Sequence, residues 1–373
     1  MTHRTTLKQF LCCGALAFSV AARAHECAAA PKEKTLSGVP PPPAVSLTVA
    51  PGREFAADSY VHKPLAPDAL IDSRSANWLA TLARLVKTQY GAVNIHQYTP
   101  PVYIAGPNQP TVRVKNLLLP QQFEPPRETY EPLQAQWLAV PLPDNFKPSA
   151  GNDAEAIVYQ PTTRRYWEFW ALAKSGAQIR DSSGRLVDEW QAAWGGQIEN
   201  LATNPGYFDG GFGTTATGMA MLGTLMTIEE QQRGVINHPL QLAVNATLRG
   251  RWTWPAQRSD GWIDDITTAI PAGACFRFPA SLNLNEIDMH PYARMLARAV
   301  QRYGMYVVDT SGGGAVFRAE NPSNQYMDDP YFKSGGILGC PAPNSYECWP
   351  DSNNRLRGFP WAKLQVLKVN LNN

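Results

Sequence analysis

Between residues 166 and 262 the chain concentrates side chains suited to handling sugars. Tyr166-Trp167-Glu168-Phe169-Trp170, Trp194 to Asn200, Asn204 to Asp209 and Trp254 to Gly261 each set aromatic rings beside amides, carboxylates or an arginine. A pyranose has apolar C–H faces and a rim of hydroxyl donors and acceptors, so such mixtures suit it. Trp167, Trp170, Trp194, Tyr207, Trp254 and Arg258 are the candidate substrate-binding residues, set against the plainer roles of core tryptophan and paired arginine. Glu168 stands out, because a carboxylate between aromatics on a strand is costly to bury without a partner or a task. His238 follows a turn and precedes a strand, where catalytic and structural histidines both occur. Glu199, Asp209 and Asp260 are loop carboxylates that serve either chemistry or turn capping.

Two reactions use such a set. In glycoside hydrolysis one carboxyl group protonates the leaving oxygen while another acts as nucleophile or as base for water. Glu168 with Glu199, Asp209 or Asp260 is the candidate pairing. In β-elimination on a uronic acid, a His or Tyr removes the proton beside a carboxylate that Arg neutralises, which suits His238, Tyr166 or Tyr207, and Arg258. The commoner labelled chemistries are missing. There is no Gly-x-Ser-x-Gly, no His-Glu-x-x-His, no phosphate loop ending in Gly-Lys-Ser/Thr and no EF-hand calcium loop. Gly211-Phe212-Gly213-Thr214-Thr215-Ala216 matches a dinucleotide fingerprint in letters only, since no parallel strand precedes it. No cofactor and no metal site is expected.

The elements that must position these residues are mostly short strands. The chain of 373 residues holds 32 prolines, 28 glycines and 11 tryptophans, with 17% charged residues, a composition that disfavours long helices. Apolar spacing predicts a helix within Ser73 to Tyr90 and another from Pro291 to Tyr303, stopped by Gly304, with a helical turn over Thr227 to Gln232. Strands are expected at Val102 to Ala105, Trp137 to Val140, Ala156 to Tyr159, Tyr166 to Leu172, Leu240 to Val244, Arg251 to Trp254 and Leu364 to Leu371. A hairpin is read over Met305 to Val308 and Ala315 to Ala319 across the Ser311 to Gly314 turn. The expected fold is mainly all-β: an antiparallel β-sandwich, with the jelly roll as one form of it, carrying two peripheral helices.

Residues 1–24 read as a secretory signal, with Arg4 and Lys8 before a short apolar stretch and a cleavage site at Ala22-Arg23-Ala24. Residues 25–55 read as a Pro-rich linker around Pro40 to Pro43, and 56–373 as a single sandwich domain. The mature chain is expected in the periplasm or outside the cell, away from the membrane. A net charge of +2 argues against nucleic acid as partner. Signal removal leaves Cys27, Cys275, Cys340 and Cys348, an even number in an oxidising compartment. A local Cys340–Cys348 bridge with Cys27–Cys275 as the remaining pair is favoured, although four cysteines allow three connectivities.

The blocks above, with Tyr303-Gly304-Met305 and Trp361 to Leu367, resemble a family of exported bacterial proteins. Its marks are a Tyr/Trp-Glu-Phe/Leu strand, a Gly-x-Ile-x-His-x-Leu segment and a Trp-Pro-Ala-x-Arg stretch, spanning most of residues 60 to 371. The resemblance implies no particular activity and draws attention to Glu168 and His238. The chain departs from the family at Pro239-Leu240, where relatives have Ala-Leu, and at Thr214 to Thr217, where some carry an aspartate. Taken together, the expectation is a secreted carbohydrate-active enzyme that cleaves a polysaccharide or oligosaccharide, with glycoside hydrolase ahead of polysaccharide lyase. The rival is a non-catalytic exported protein that binds glycans or serves the envelope structurally.

Overall fold

Prolines and glycines at short intervals leave room for little beyond short strands. The computed structural model describes residues 53–118, 129–322, 329–333, 335–339 and 356–372. The segment read as a leader, most of that read as a linker, Cys27, Cys340 and Cys348 lie outside the described residues. The strands are β1 (Gly91–Asn94), β2 (Val102–Ile104), β3 (Lys115–Asn116), β4 (Ala156–Gln160), β5 (Arg165–Trp170), β6 (Ala173–Arg180), β7 (Leu186–Ala192), β8 (Trp194–Ile198), β9 (Leu240–Val244), β10 (Thr247–Trp252), β11 (Ile270–Ala272), β12 (Cys275–Arg277), β13 (Met305–Thr310), β14 (Ala315–Arg318) and β15 (Gln365–Val366). The α-helices are α1 (Ser75–Thr88), α2 (Glu131–Gln134), α3 (Ile228–Arg233) and α4 (Pro291–Tyr303).

The fold is rich in sheet, and the pairing is mixed where antiparallel pairing was expected. A six-stranded sheet runs in the order β1-β14-β9-β13-β12-β15, and a four-stranded one in the order β2-β4-β5-β8. A three-stranded sheet, β3-β7-β6, and the pair β10-β11 complete the set. The expected hairpin of β13 and β14 does not form, because β9 lies between them, parallel to β13 and antiparallel to β14. The Ser311 to Gly314 segment steps over the end of β9, with Ser311 N–H bonded to Val244 O and Asn245 N–H to Gly314 O. The expected strand at Trp137 to Val140 is instead a 3-10 turn, Ala135–Trp137, followed by a bridge from Val140 to Val112.

Both long helices lie where spacing places them. Trp78, Leu82 and Leu85 of α1 and Leu296 and Val300 of α4 pack with Leu242, Val307 and Phe317 on one face of the six-stranded sheet. Pro291 opens α4, His290 caps it by accepting Tyr292 N–H, and Gly304 ends it at φ +84°. The opposite face of that sheet contributes Tyr306 and Val308 to a second core, which also contains Ile157, Tyr159, Tyr166 and Ile198 from the four-stranded sheet. A third core, with Trp137, Val158, Trp167 and Phe169, lies on the other side of the four-stranded sheet. β5 is therefore buried on both faces.

Cys275 carries a free, buried thiol that burial pushes up to about 12, which corrects its expected place in a disulfide. It starts β12, opposite Tyr306 and against Gly304, deep in the second core. No helix among the described residues is long and apolar enough to cross a membrane. Trp167 is 1% exposed and fills the third core. Trp167→Ala is expected to lower unfolding free energy by about 3–5 kcal/mol in urea titration, the cost of a large aromatic cavity.

Candidate functional site

Alternation along β5 turns Trp167 and Phe169 to one face and Tyr166 and Glu168 to the other. Glu168 is fully buried. Its Oε1 accepts the Tyr166 hydroxyl at 2.5 Å and Met221 N–H at 2.5 Å, and its Oε2 accepts Thr214 N–H at 2.9 Å and the Thr214 hydroxyl at 2.6 Å. Burial raises its pKa, and these donors oppose the rise. The carboxylate thereby ties β5 to the Thr214 loop and to the 3-10 turn Met221–Gly223. Gly195 makes the same strand contact feasible from β8: at φ +149°, a Cβ there would stand 2.0 Å from Glu168 O.

Arg258 works on the same loop from the other side, donating to Gly211 O, to Gly213 O at 2.9 Å and to Thr215 O at 2.9 Å. The glycine-rich letters at 211–213 thus form a loop clamped by arginine. His238 is 1% exposed, with Nδ1 2.7 Å from Pro239 O and Nε2 3.3 Å from Glu230 Oε2. Glu230 closes a capping box with Thr227 at the start of α3 and pairs with Arg53 at 2.7 Å. Burial and the neighbouring Arg53 charge lower the His238 pKa, while Arg53 and His238 outweigh burial to hold Glu230 well below the carboxylate range. Arg53, placed by sequence in the linker, also donates to Leu222 O at 2.7 Å and to Leu225 O, so it fastens the entering chain to the core.

The other sequence-selected residues are spread out. Glu199 is exposed and pairs with Arg165 at 3.0 Å, and Asp209 is exposed in its loop. Trp167 donates to Gln136 O at 3.3 Å from the core. Trp194 forms a three-ring cluster with Tyr130 and Phe212, and half-buried Tyr207 bridges to Met219. Trp254 is 51% exposed and sets its ring edge-to-face with Tyr60.

Asp260 joins a second group of titratable side chains, and its partners are residues that the sequence reading did not select. Arg318, ending β14, pairs with Asp309 at 2.8 Å and with Glu155 at 3.6 Å. The Thr310 hydroxyl donates to Asp260 Oδ1 at 2.6 Å, Thr310 N–H donates to Asp309 Oδ1 at 3.0 Å, and the Thr247 and Thr310 hydroxyls lie 2.5 Å apart. A register shift in β13 between Val307 and Asp309 re-aims the aspartate. Beside them Trp170 donates to Asp153 Oδ1 at 3.1 Å. The Asp309 side chain is 15% exposed, against 7% for Arg318 and 3% for Glu155.

Burial pushes Asp309 up to about 7 and Glu155 up to about 8, with neighbouring carboxylates adding to the rise and Arg318 opposing it. Burial also raises Asp260. Among the described residues Arg318 Nε and Nη1 and Glu155 Oε2 have no hydrogen-bond partner, so they retain capacity for a further polar group. The signal available in sequence was a charged residue closing an apolar strand: Asp309 after Tyr306 to Val308, and Arg318 after Ala315 to Phe317. Among the described residues no three His, Cys, Asp or Glu side chains converge to hold a metal ion. Compared with known proteins, the chain matches no family model, no curated protein and no solved structure.

Replacing Glu168 with Gln puts an N–H donor where only acceptors serve, and it should cost about 2–4 kcal/mol of stability by urea unfolding. Glu155 sets a pH dependence. Its folded pKa of about 8 lies above the ordinary 4.5, so the folded state holds its proton longer than the unfolded chain. Its contribution is complete below about pH 4.5 and is lost as pH rises to about 8. Thermal melts across that range should show Glu155→Gln with a shallower loss of Tm than the parent.

Proposed function

We propose that the protein is an exported glycoside hydrolase, acting at the Asp309–Asp260 pair on a scaffold of two stacked sheets in a sandwich. The observation that carries this reading is the linkage of two carboxyl groups through Thr310, both pushed above the ordinary aspartate range. Close carboxyl groups do not ionise together, so between their two titration steps one carries a proton and the other is a base. That is the division of labour hydrolysis needs: one group protonates the leaving oxygen and the other activates water or attacks the anomeric carbon.

Asp309, beside Arg318 and raised to about 7, is assigned the acid, and Asp260 the base or nucleophile. Half-buried Trp170 and the 48%-exposed Trp262, two residues beyond Asp260, supply aromatic surface near the pair. Hydrolysis is favoured over elimination because the histidine that elimination would use, His238, is buried with both ring nitrogens facing protein acceptors. Its companion Arg258 is engaged with three carbonyls. Export rests on the basic, apolar and small-x-small pattern of residues 1–24.

The test is release of reducing ends from a polysaccharide panel without appearance of unsaturated uronates. Asp309→Asn and Asp260→Asn should each lower kcat by about 10²–10⁴-fold, and parent activity should fall above about pH 7 as the acid loses its proton. Activity that survives both substitutions, or none on any glycan, overturns the assignment.

A further inference from the structure

The three-stranded sheet carries a groove that shares no residue with the carboxylate cluster. Alternation turns Lys174 and Gln178 of β6 and Asp188 and Trp190 of β7 to one face, where Lys174 pairs across the strands with Trp190 and Gln178 with Asp188. Together with Phe146 and Arg185 they line a cavity of about 300 Å³, the lower end of the range for small-ligand sites. Phe146, itself buried, meets the Trp190 indole edge-to-face at 5.2 Å and fixes its angle. Lys174 Nζ lies 5.6 Å from the same indole and 2.6 Å from Asp188.

The far rim is held in place before any ligand arrives. Asp181, with its side chain 3% exposed, accepts Ser183 N–H, the Ser183 hydroxyl and Arg185 N–H at 2.9, 2.6 and 3.0 Å, and pairs with Arg185 at 3.2 Å. Arg185 reaches on to Asp144 with two hydrogen bonds, of 2.6 and 3.2 Å. The β6–β7 turn is thus stapled to the Pro143–Phe146 loop, and a rim that does not reorganise loses less free energy on binding.

We infer that this groove binds a segment of a neutral oligosaccharide, with the Trp190 indole as its apolar wall and the Gln178, Asp188 and Arg185 groups meeting hydroxyls. Three features select that class. Each rim cation is already paired with a carboxylate, and Lys174 and Arg185 face Asp144, Asp181 and Asp188, so the groove has no excess positive charge to attract a polyanion. An apolar wall with a rim of both donors and acceptors matches a sugar ring's faces and edge. An extended peptide is disfavoured, because β6 is the sheet's edge strand and is broken by a register shift between Lys174 and Gln178, with Gly176 at φ +86°. The choice of a glycan rests in part on the hydrolase reading, and the groove would then be a holding site apart from the point of cleavage.

The experiment is affinity electrophoresis of the full chain through gels containing neutral glucan, mannan, xylan or galactan, with an anionic polysaccharide and a plain gel for comparison. Asp309→Asn serves as background so that the matrix stays intact. Retardation by at least one neutral polysaccharide is expected, and adding Trp190→Ala should weaken apparent affinity by about tenfold or more. Should Trp190→Ala fail to fold, the rim variant Lys174→Ala with Gln178→Ala, both exposed, decides the question by the same loss. Unchanged retardation in the folded variant, retardation by the anionic matrix alone, or none in any gel overturns the inference. Retardation without reducing-end release by the parent would sink the hydrolase reading and leave the groove standing.

Discussion

Burying the Glu168 carboxylate is the constraint on which the middle of this protein depends. Moving a carboxylate out of water costs several kcal/mol, and each hydrogen bond from a neutral donor to it returns about 1.5–3 kcal/mol. Four such bonds converge on Glu168, and no single element supplies them. Tyr166 comes from the same strand, Thr214 from a loop and Met221 from a 3-10 turn, so these segments must be in place together. Arg258 secures the loop by its carbonyls, and Arg53 does the same for the turn through Leu222 and Leu225. The buried charge makes the arrangement cooperative: losing any donor leaves an underserved carboxylate.

The same logic explains the polar residues between the two larger sheets. One face of the six-stranded sheet takes the helices through apolar side chains, whereas the other carries Tyr306, Val308, Asp309 and Arg318 toward the four-stranded sheet. A guanidinium held with two carboxylates at the border of that layer remains charged, while the carboxyl groups shift toward protonation at neutral pH. Chemistry near pH 7 needs this poise. The proposed reacting pair and the residues that order the fold therefore share one polar layer, separated by whether their hydrogen bonds are already spent.

Much of the local structure was legible. α4 was readable to the residue because proline, apolar spacing and glycine all mark it independently, and the helical turn read over Thr227 to Gln232 is α3, opened by the capping box of Thr227 and Glu230. The β4–β5 hairpin followed from two apolar runs around a turn. The β13–β14 hairpin was misread because a glycine turn joins neighbours in sequence whether or not another strand slips between them. Trp137 to Val140 was misread because a short apolar run packs equally well as a 3-10 turn against Trp167 and Phe169. Glu168 and Arg258 were read as candidate site residues, yet sequence could not tell a carboxylate with all its bonds satisfied from one held ready for substrate.

By itself the sequence determined the short strands, the two amphipathic helices and the wealth of aromatic and carboxylate side chains, since all of these are written in spacing and composition. Only the tertiary structure decided that β9 divides β13 from β14, that Asp260 is linked to Asp309 through Thr310, and that Cys275 is a free buried thiol. The physical reason is range. Helix spacing and turn chemistry act over a few residues, whereas the protonation of Asp309 depends on charges brought from residues 153, 260 and 318, which become neighbours only after the sheets have assembled.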